Sequence, residues 1–291
     1  MIFQMKKLTK LSTTNPLLSK LQIFDKGMKY MNLQKEINDY WSKRADEFSS
    51  CRIKDLEGFQ RKIWTDIISE AISDGSGLRA LDVGTGAGFY SFLLCDLGFE
   101  VTGIDYSRNM INNAVANSKN LGYNNIKFIE MDAQNLQFED ESFDFIISRN
   151  VTWTLPDPKR AYEEWCRVLA PGGKIMNFDA NYGHDFNLAE KSGENYMEMQ
   201  NWCCSSYNRR LQSEELIRQR NNFAAKLYIC NFTRPQWDVD ILIKNGINKI
   251  TINTDISKRV YADTQKIPKL LKGNKKYGSD STMFMVYAIK E

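Results

Sequence analysis

The sequence predicts an α/β fold, a doubly wound and mostly parallel sheet with helices on both faces and a ligand held at the carboxyl edge of its strands. Three observations predict it. Short apolar runs alternate with helical patterns from Leu78 to Tyr182, the alternation that βαβ units impose. Ala80-Leu81-Asp82-Val83 opens directly into Gly84-Thr85-Gly86-Ala87-Gly88, a glycine-rich strand-to-helix turn whose backbone a ligand can approach closely. A second apolar run, Glu100 to Asp105, ends in an acid about 20 residues further on, where such units bond the hydroxyls of a ribose.

The elements follow in order. Residues 1–30 are lysine-rich with weak periodicity and are expected to form a basic, poorly ordered extension. Asn32 to Phe48 and Leu56 to Ile72 carry apolar residues at helical spacing and read as two helices ahead of the core. The run Ile126 to Ala133 places Asp132 in a loop where an adenine amino group can be bonded, or where it simply caps a helix. Phe143 to Asn150 reads as a buried strand opening onto Asn150 and Trp153. Pro171-Gly172-Gly173 ends a helix and is followed by a strand from Ile175 to Asp179. From Gly183 to Phe232 a charged, aromatic and mostly helical insertion interrupts the alternation.

Asp82 narrows the ligand class. A carboxylate directly ahead of the turn repels a pyrophosphate and attracts an ammonium group. Phe89 stands where the dinucleotide pattern requires its third glycine. A nicotinamide dinucleotide is therefore disfavoured, and a ligand with a cationic amino-acid end and an uncharged sugar is favoured.

The motifs LDVGTGAG (81–88), GID (103–105), MDAQNL (131–136), FDFIISRN (143–150) and RVLAPGG (167–173) resemble, in order and spacing, the class I S-adenosylmethionine-dependent methyltransferases, specifically the small-molecule group with a type 11 core. The resemblance implies a Rossmann-like sheet of seven strands and a single methyltransferase domain over residues 31–291. Within it, 31–75 form helical caps, 78–182 the cofactor-binding core, 183–233 a helical lid inserted after strand five, and 234–291 the last helix and two strands. It implies S-adenosyl-L-methionine as cofactor and S-adenosyl-L-homocysteine as product. The implied cofactor contacts are Asp82, Gly84, Thr85, Gly86, Asp105, Tyr106, Met110, Asp132, Ala133 and Asn150. The N-terminal motif DYWSKRADEF adds Tyr40 and Arg44, with Trp41 and Phe48 beside them. An aromatic ring against a sulfonium contributes about 0.5–2 kcal/mol, and Arg44 is suited to a carboxylate; the alternative for the three aromatics is packing of a docked helix.

Methyl transfer from a sulfonium is a direct displacement, and in-line placement of nucleophile and methyl supplies up to about 7–11 kcal/mol. A general base is needed only for an acceptor that enters protonated. Asn150, Trp153, Asp179, Tyr182 and His184 fall at or beyond the ends of the fourth and fifth strands. His184, the single histidine, is the candidate base because its unperturbed pKa lies near neutrality, with Asn150 and Tyr182 as companions. Arg149-Asn150-Val151-Thr152 stands where amino-methylating enzymes of macromolecules carry Asn-Pro-Pro-Tyr, which favours a small-molecule acceptor. Arg209, Arg210, Arg218, Arg220 and Lys226 point to an anionic one, or else form a solvated helix face. Carbon, nitrogen, oxygen and sulfur acceptors stay open, as does the oligomeric state.

Composition excludes other classes. The chain has 291 residues, 42% hydrophobic, and a formal charge of +3, without the concentrated basic character of a nucleic-acid partner. No run reaches the 18 or more apolar residues of a membrane span, and residues 1–30 lack a secretory pattern, so a cytoplasmic location is expected. Six cysteines without a C-x-x-C pair, and one histidine, argue against a metal site; Cys203-Cys204 leaves a soft-metal alternative. A regulatory or assembly protein that binds the cofactor without methyl transfer is the alternative function.

Overall fold

In a computed structural model the described residues are 16–181, 213–260 and 283–291, with side chains described from Gly27 onward. Seven strands form one sheet: β1 (Arg79–Val83), β2 (Glu100–Asp105), β3 (Lys127–Glu130), β4 (Phe143–Arg149), β5 (Leu169–Asp179), β6 (Lys249–Asn253) and β7 (Phe284–Ile289). Their order is β3-β2-β1-β4-β5-β7-β6. The first five pair in parallel, and β7 runs antiparallel between β5 and β6. The order reverses between β1 and β4, and ligands of open α/β sheets bind outside the carboxyl ends of the strands at such a switch point.

Alternation along the strands explains the two faces. Leu81, Val83, Ile146 and Ile175 enter one apolar cluster with Trp165 of α5 (Pro158–Val168) and Ile241 and Leu242. Ala80, Val101, Phe145 and Ile147 enter the other, with Trp64 and Ile68 of α2 (Phe59–Ala71) and Phe92 and Leu93 of α3 (Phe89–Asp96). Each large side chain so buried is worth about 1.5–3 kcal/mol. Local signals set the helix limits. Ser107 caps α4 (Arg108–Leu121) by accepting from the Met110 N–H at 3.4 Å, and Asp157 caps α5 ahead of Pro158, accepting from the Arg160 N–H at 3.1 Å. Further helices are α6 (Glu214–Ala224), α7 (Gln236–Lys244) and the short α8 (Ile256–Val260).

Two elements depart from the sequence reading. The helix expected over residues 32–48 belongs to a single helix, α1 (Pro16–Glu57), so residues 16–30 are its first turns and not part of a disordered tail; residues 1–15 lie outside the described residues. Tertiary packing extends it: Tyr30 is half-buried, and burial with the nearby Asp132 and Asp157 carboxylates pushes its phenol pKa up. Pro171-Gly172-Gly173 lies within β5 and does not end α5, which stops at Val168. Gly172, at φ 76°, donates its N–H to the Lys290 carbonyl at 2.7 Å, which joins the bent strand to the chain end.

α1 lies along α4. Asn109 Nδ2 donates to the Ser42 carbonyl at 3.2 Å, Asn113 Nδ2 to Asp46 at 3.0 Å and Asn117 Nδ2 to Ser49 Oγ at 2.9 Å. On its other side, Lys43 reaches Gln219 of α6 at 3.3 Å and Lys226 reaches Glu36 at 2.7 Å. α1 is thereby held across the carboxyl edge of the sheet.

Candidate functional site

A cavity of about 220 Å³ opens at that edge, walled by the glycine turn, the ends of β2 and β4, the loop after β3, α1 and α6. The turn needs its glycines. Gly84 and Gly86 have φ of 67° and 54°, and a Cβ on them would come within 2.2 Å of Val151 Cγ2 and 2.9 Å of Phe48 Cε1. Asp105 ties the turn to the end of β2: its Oδ2 accepts from the Gly86 N–H at 3.0 Å and its Oδ1 from the Ser107 N–H at 2.9 Å. Burial pushes its carboxyl up to about 6, against those N–H bonds that pull it down.

Asp82 is placed differently from the sequence expectation. It is 1% exposed, lies outside the cavity lining, and accepts hydroxyl hydrogens from Thr85 at 2.7 Å and Ser91 at 2.8 Å. The strand carries it beneath the turn, where it ties the Thr85 and Ser91 hydroxyls together from below. Its carboxyl is pushed up to about 6 by burial, with both hydroxyls opposing. Thr85 lines the cavity, together with Tyr106 and the fully buried Met110.

The cavity wall around Asp132 is built from two chain segments. Asp132 Oδ1 accepts from both the backbone N–H and Nε2 of Gln134, each at 2.9 Å. Gln134, wholly buried, accepts from the Asp157 N–H at 2.7 Å and donates through Nε2 to Gln34 Oε1 at 3.3 Å. Gln34, Asp132 and Ala133 all line the cavity. The network fixes the Gln34 carboxamide with its oxygen toward Gln134, which leaves its NH2 group as a donor. Gln34 escaped the sequence reading although a signal existed: Gln34, Ile37, Trp41, Arg44, Phe48 and Arg52 form one helical stripe, and all six line the cavity.

Arg44 and Tyr40 lie on this wall. Arg44 is 4% exposed, donates from Nη1 to the Tyr40 hydroxyl at 3.1 Å, and stands 5.6 and 5.4 Å from the Tyr40 and Trp41 ring centres. Its Nε and Nη2 meet no hydrogen-bond acceptor, and its pairing with Glu47 is loose at 3.9 Å.

At the β4 end, Asn150 adopts a left-handed φ of 56° and donates its backbone N–H to the Phe178 carbonyl at 2.8 Å, which turns the chain so that Asn150, Val151 and Trp153 line the cavity. Asp179 does not join them. It is wholly buried and bonded to Thr152, to the Trp153 N–H at 2.9 Å and to Arg234 at 2.8 Å. Tyr182, His184, Cys203, Cys204, Arg209 and Arg210 lie outside the described residues. Of the other basic candidates, Arg218 pairs with Glu214 at 3.4 Å on an exposed face and Lys226 with Glu36, while Arg220 lines the cavity.

A methyltransferase-domain family model matches residues 74–224, a little over half of the chain. The chain belongs to this methyltransferase family. Its fold agrees: a putative S-adenosyl-L-methionine-dependent methyltransferase of Methanococcus maripaludis superposes with a TM-score of 0.51 at 20% identity, covering 86% of this chain and 93% of that one. A putative methyltransferase complexed with its Trm112 activator in Haloferax volcanii gives 0.53 at 17% identity, over 86% and 96%. Demethylmenaquinone methyltransferase of Staphylococcus aureus (strain MRSA252) is 36% identical over 129 residues, 43% of this chain and 53% of that protein. The chain thus spans about half the length of the curated relatives it matches. Among the described residues no helix is long and apolar enough to cross a membrane.

Proposed function

We propose that the chain transfers a methyl group from S-adenosyl-L-methionine to a small, anionic acceptor by direct displacement in this cavity, in the cytoplasm. The observation that carries the reading is the glycine cradle closed by Asp105 beneath the aromatic and basic stripe of α1. The donors and acceptors fit the cofactor part by part. Asp105 takes the ribose hydroxyls, Asp132 and the Gln34 carboxamide read the adenine edge, and Tyr106 and Met110 pack on the base. Gly84, Thr85 and Gly86 let the amino-acid end approach the backbone, and Arg44 takes its carboxylate with two unused N–H groups.

When bound, the cofactor supplies a methyl on a positively charged sulfur, already activated for attack. The chain's own residues then orient and enclose. Tyr40, Trp41 and Phe48 give the sulfonium aromatic faces, and Asn150 and Trp153 position the acceptor at the end of β4. Asp105 and Asp132, the cavity carboxylates among the described residues, sit at the sugar and base end. For an acceptor that enters protonated, the base proposed from the sequence is His184, with Tyr182 as its companion.

The test is calorimetric titration with S-adenosylhomocysteine, S-adenosylmethionine and NADH. Micromolar binding of the first two and none of NADH is expected, followed by substrate-dependent formation of S-adenosylhomocysteine in metabolite pools. Binding of NADH alone sinks the reading, and cofactor binding without turnover leaves a regulatory protein.

A further inference from the structure

Beside its aromatic and basic stripe, α1 carries a polar row at helical spacing, Gln34, Asn38 and Ser42. Gln34 and Asn38 line the cavity, and so do Asp105 at the end of β2 and Ser107 at the cap of α4. Asn38 has no part in the cofactor contacts assigned so far.

The position of this row is fixed by α4. Asn109 Nδ2 donates to the Ser42 carbonyl at 3.2 Å and Asn113 Nδ2 to Asp46 at 3.0 Å, so the register of α1 against α4 is set. Ser42 Oγ stands 2.9 Å from Ser107 Oγ and donates to Asn38 Oδ1 at 3.4 Å. A serine hydroxyl has one hydrogen to give. Ser42 gives its own to Asn38, so Ser107 donates to Ser42, and Ser107 accepts in turn from the Met110 N–H at 3.4 Å. The chain of bonds therefore runs in one direction, from the first turn of α4 to Asn38 Oδ1. With its oxygen so engaged, the Asn38 carboxamide offers its NH2 group as a donor.

A ribose site needs such a donor. A hydroxyl that gives its hydrogen to Asp105 keeps oxygen lone pairs that lose water when the sugar is enclosed, and an acceptor left unmet there costs affinity. The ionised Asp105 carboxylate only accepts, and the N–H groups of Gly86 and Ser107 are spent on it at 3.0 and 2.9 Å. Asn38 is joined through Ser42 to the same Ser107 that Asp105 binds, which brings its donor to the sugar end of the cavity.

We propose that Asn38 is a further cofactor residue: its NH2 group donates to a ribose hydroxyl oxygen whose hydrogen Asp105 accepts, so that the ribose is held jointly by the end of β2 and by α1. The proposal rests on the cavity being the S-adenosylmethionine site.

The test titrates the full chain, as parent and as Asn38→Leu, with S-adenosylhomocysteine and with its 2′-deoxy and 3′-deoxy analogues. Leucine keeps the size of the side chain and removes the donor. Asn38→Leu is expected to weaken S-adenosylhomocysteine about threefold to tenfold, the range of one neutral hydrogen bond. At least one of the two analogues, lacking the hydroxyl that Asn38 reaches, is expected to bind parent and variant within about twofold of each other, because the contact is already absent. Where Asn38→Leu does not fold, Asn38→Asp, which exchanges the donor for an acceptor, is expected to show the same dependence on the ligand. An equal loss for all three ligands, or no loss for any, shows that Asn38 only packs and overturns the proposal. Failure of S-adenosylhomocysteine to bind the parent overturns instead the reading beneath it.

Discussion

Arg44 and Arg234 are both 4% exposed, and they differ in what surrounds them. Every guanidinium nitrogen of Arg234 is bonded: Nε to Asp238 at 2.8 Å, Nη1 to Asp179 at 2.8 Å, and Nη2 to Thr152 at 2.6 Å and Asp238 at 2.5 Å. Its backbone N–H and carbonyl exchange bonds with the Asn181 side chain at 3.0 and 2.9 Å. Tyr162 donates to Asp238 and Asn177 to Tyr162, each at 2.7 Å, so one closed network joins the ends of β4 and β5 to α7. Arg44 has one hydrogen bond, to Tyr40, and two N–H positions without an acceptor. A buried charge with every guanidinium nitrogen bonded fixes architecture, whereas one with two nitrogens unbonded in a cavity wall is suited to a ligand.

The sharpest way to break this contrast is to remove each guanidinium. Arg234→Met strands Asp179 and Asp238 in the core and is expected to cost about 3–5 kcal/mol, read as a large fall in denaturation midpoint. Arg44→Met is expected to change stability by less than about 1 kcal/mol. It weakens S-adenosylhomocysteine yet leaves 5′-methylthioadenosine, which lacks the carboxylate, unaffected. If Arg44→Met proves the more destabilising of the two, the distinction fails.

A smaller effect separates turn from ligand at Asp105. Burial raises Asp105 and Asp82 each to about 6, while an unfolded aspartate titrates near pH ~3.9. Between about pH 4 and pH 6 the folded chain holds protons that the unfolded chain has released, so the ligand-free protein loses stability as pH rises through that window. Ribose hydroxyls require the ionised acceptor, so affinity for S-adenosylhomocysteine rises over the same window with a midpoint near 6. Asp105→Asn is expected to flatten that affinity profile and to cost about 1.5–3 kcal/mol of binding at pH 8, at least tenfold. A variant with the parent's profile removes Asp105 from the ribose site.

The smallest effect concerns the base. Gln34→Leu removes one neutral donor and is expected to weaken S-adenosylhomocysteine by about 0.5–1.5 kcal/mol. It also narrows the preference over S-inosylhomocysteine, whose base presents the opposite donor and acceptor pattern. An unchanged preference, measured by competition, would show that Gln34 only packs.

The core of the fold was legible because its signals are local. Alternating apolar runs and a glycine turn before a helix leave few other arrangements, and Asp105, Asp132 and Asn150 could be placed simply as the residues that end β2, the loop after β3 and β4. The burial of Asp82 was hidden because the sequence marks its nearness to the turn but not the pleat, which points it below the loop toward Ser91, nine positions away. The full length of α1 was hidden for another reason. Its first turns have weak periodicity, and only their approach to the Asp132 and Asp157 carboxylates half-buries Tyr30.

The sequence by itself determined the α/β class, the strand-to-helix turn and the acids at the strand ends, since periodicity and glycine placement are properties of neighbouring residues. Tertiary structure alone decided which charges stay unused. Whether a buried arginine is paired depends on side chains far away along the chain, as Asp179 is from Arg234.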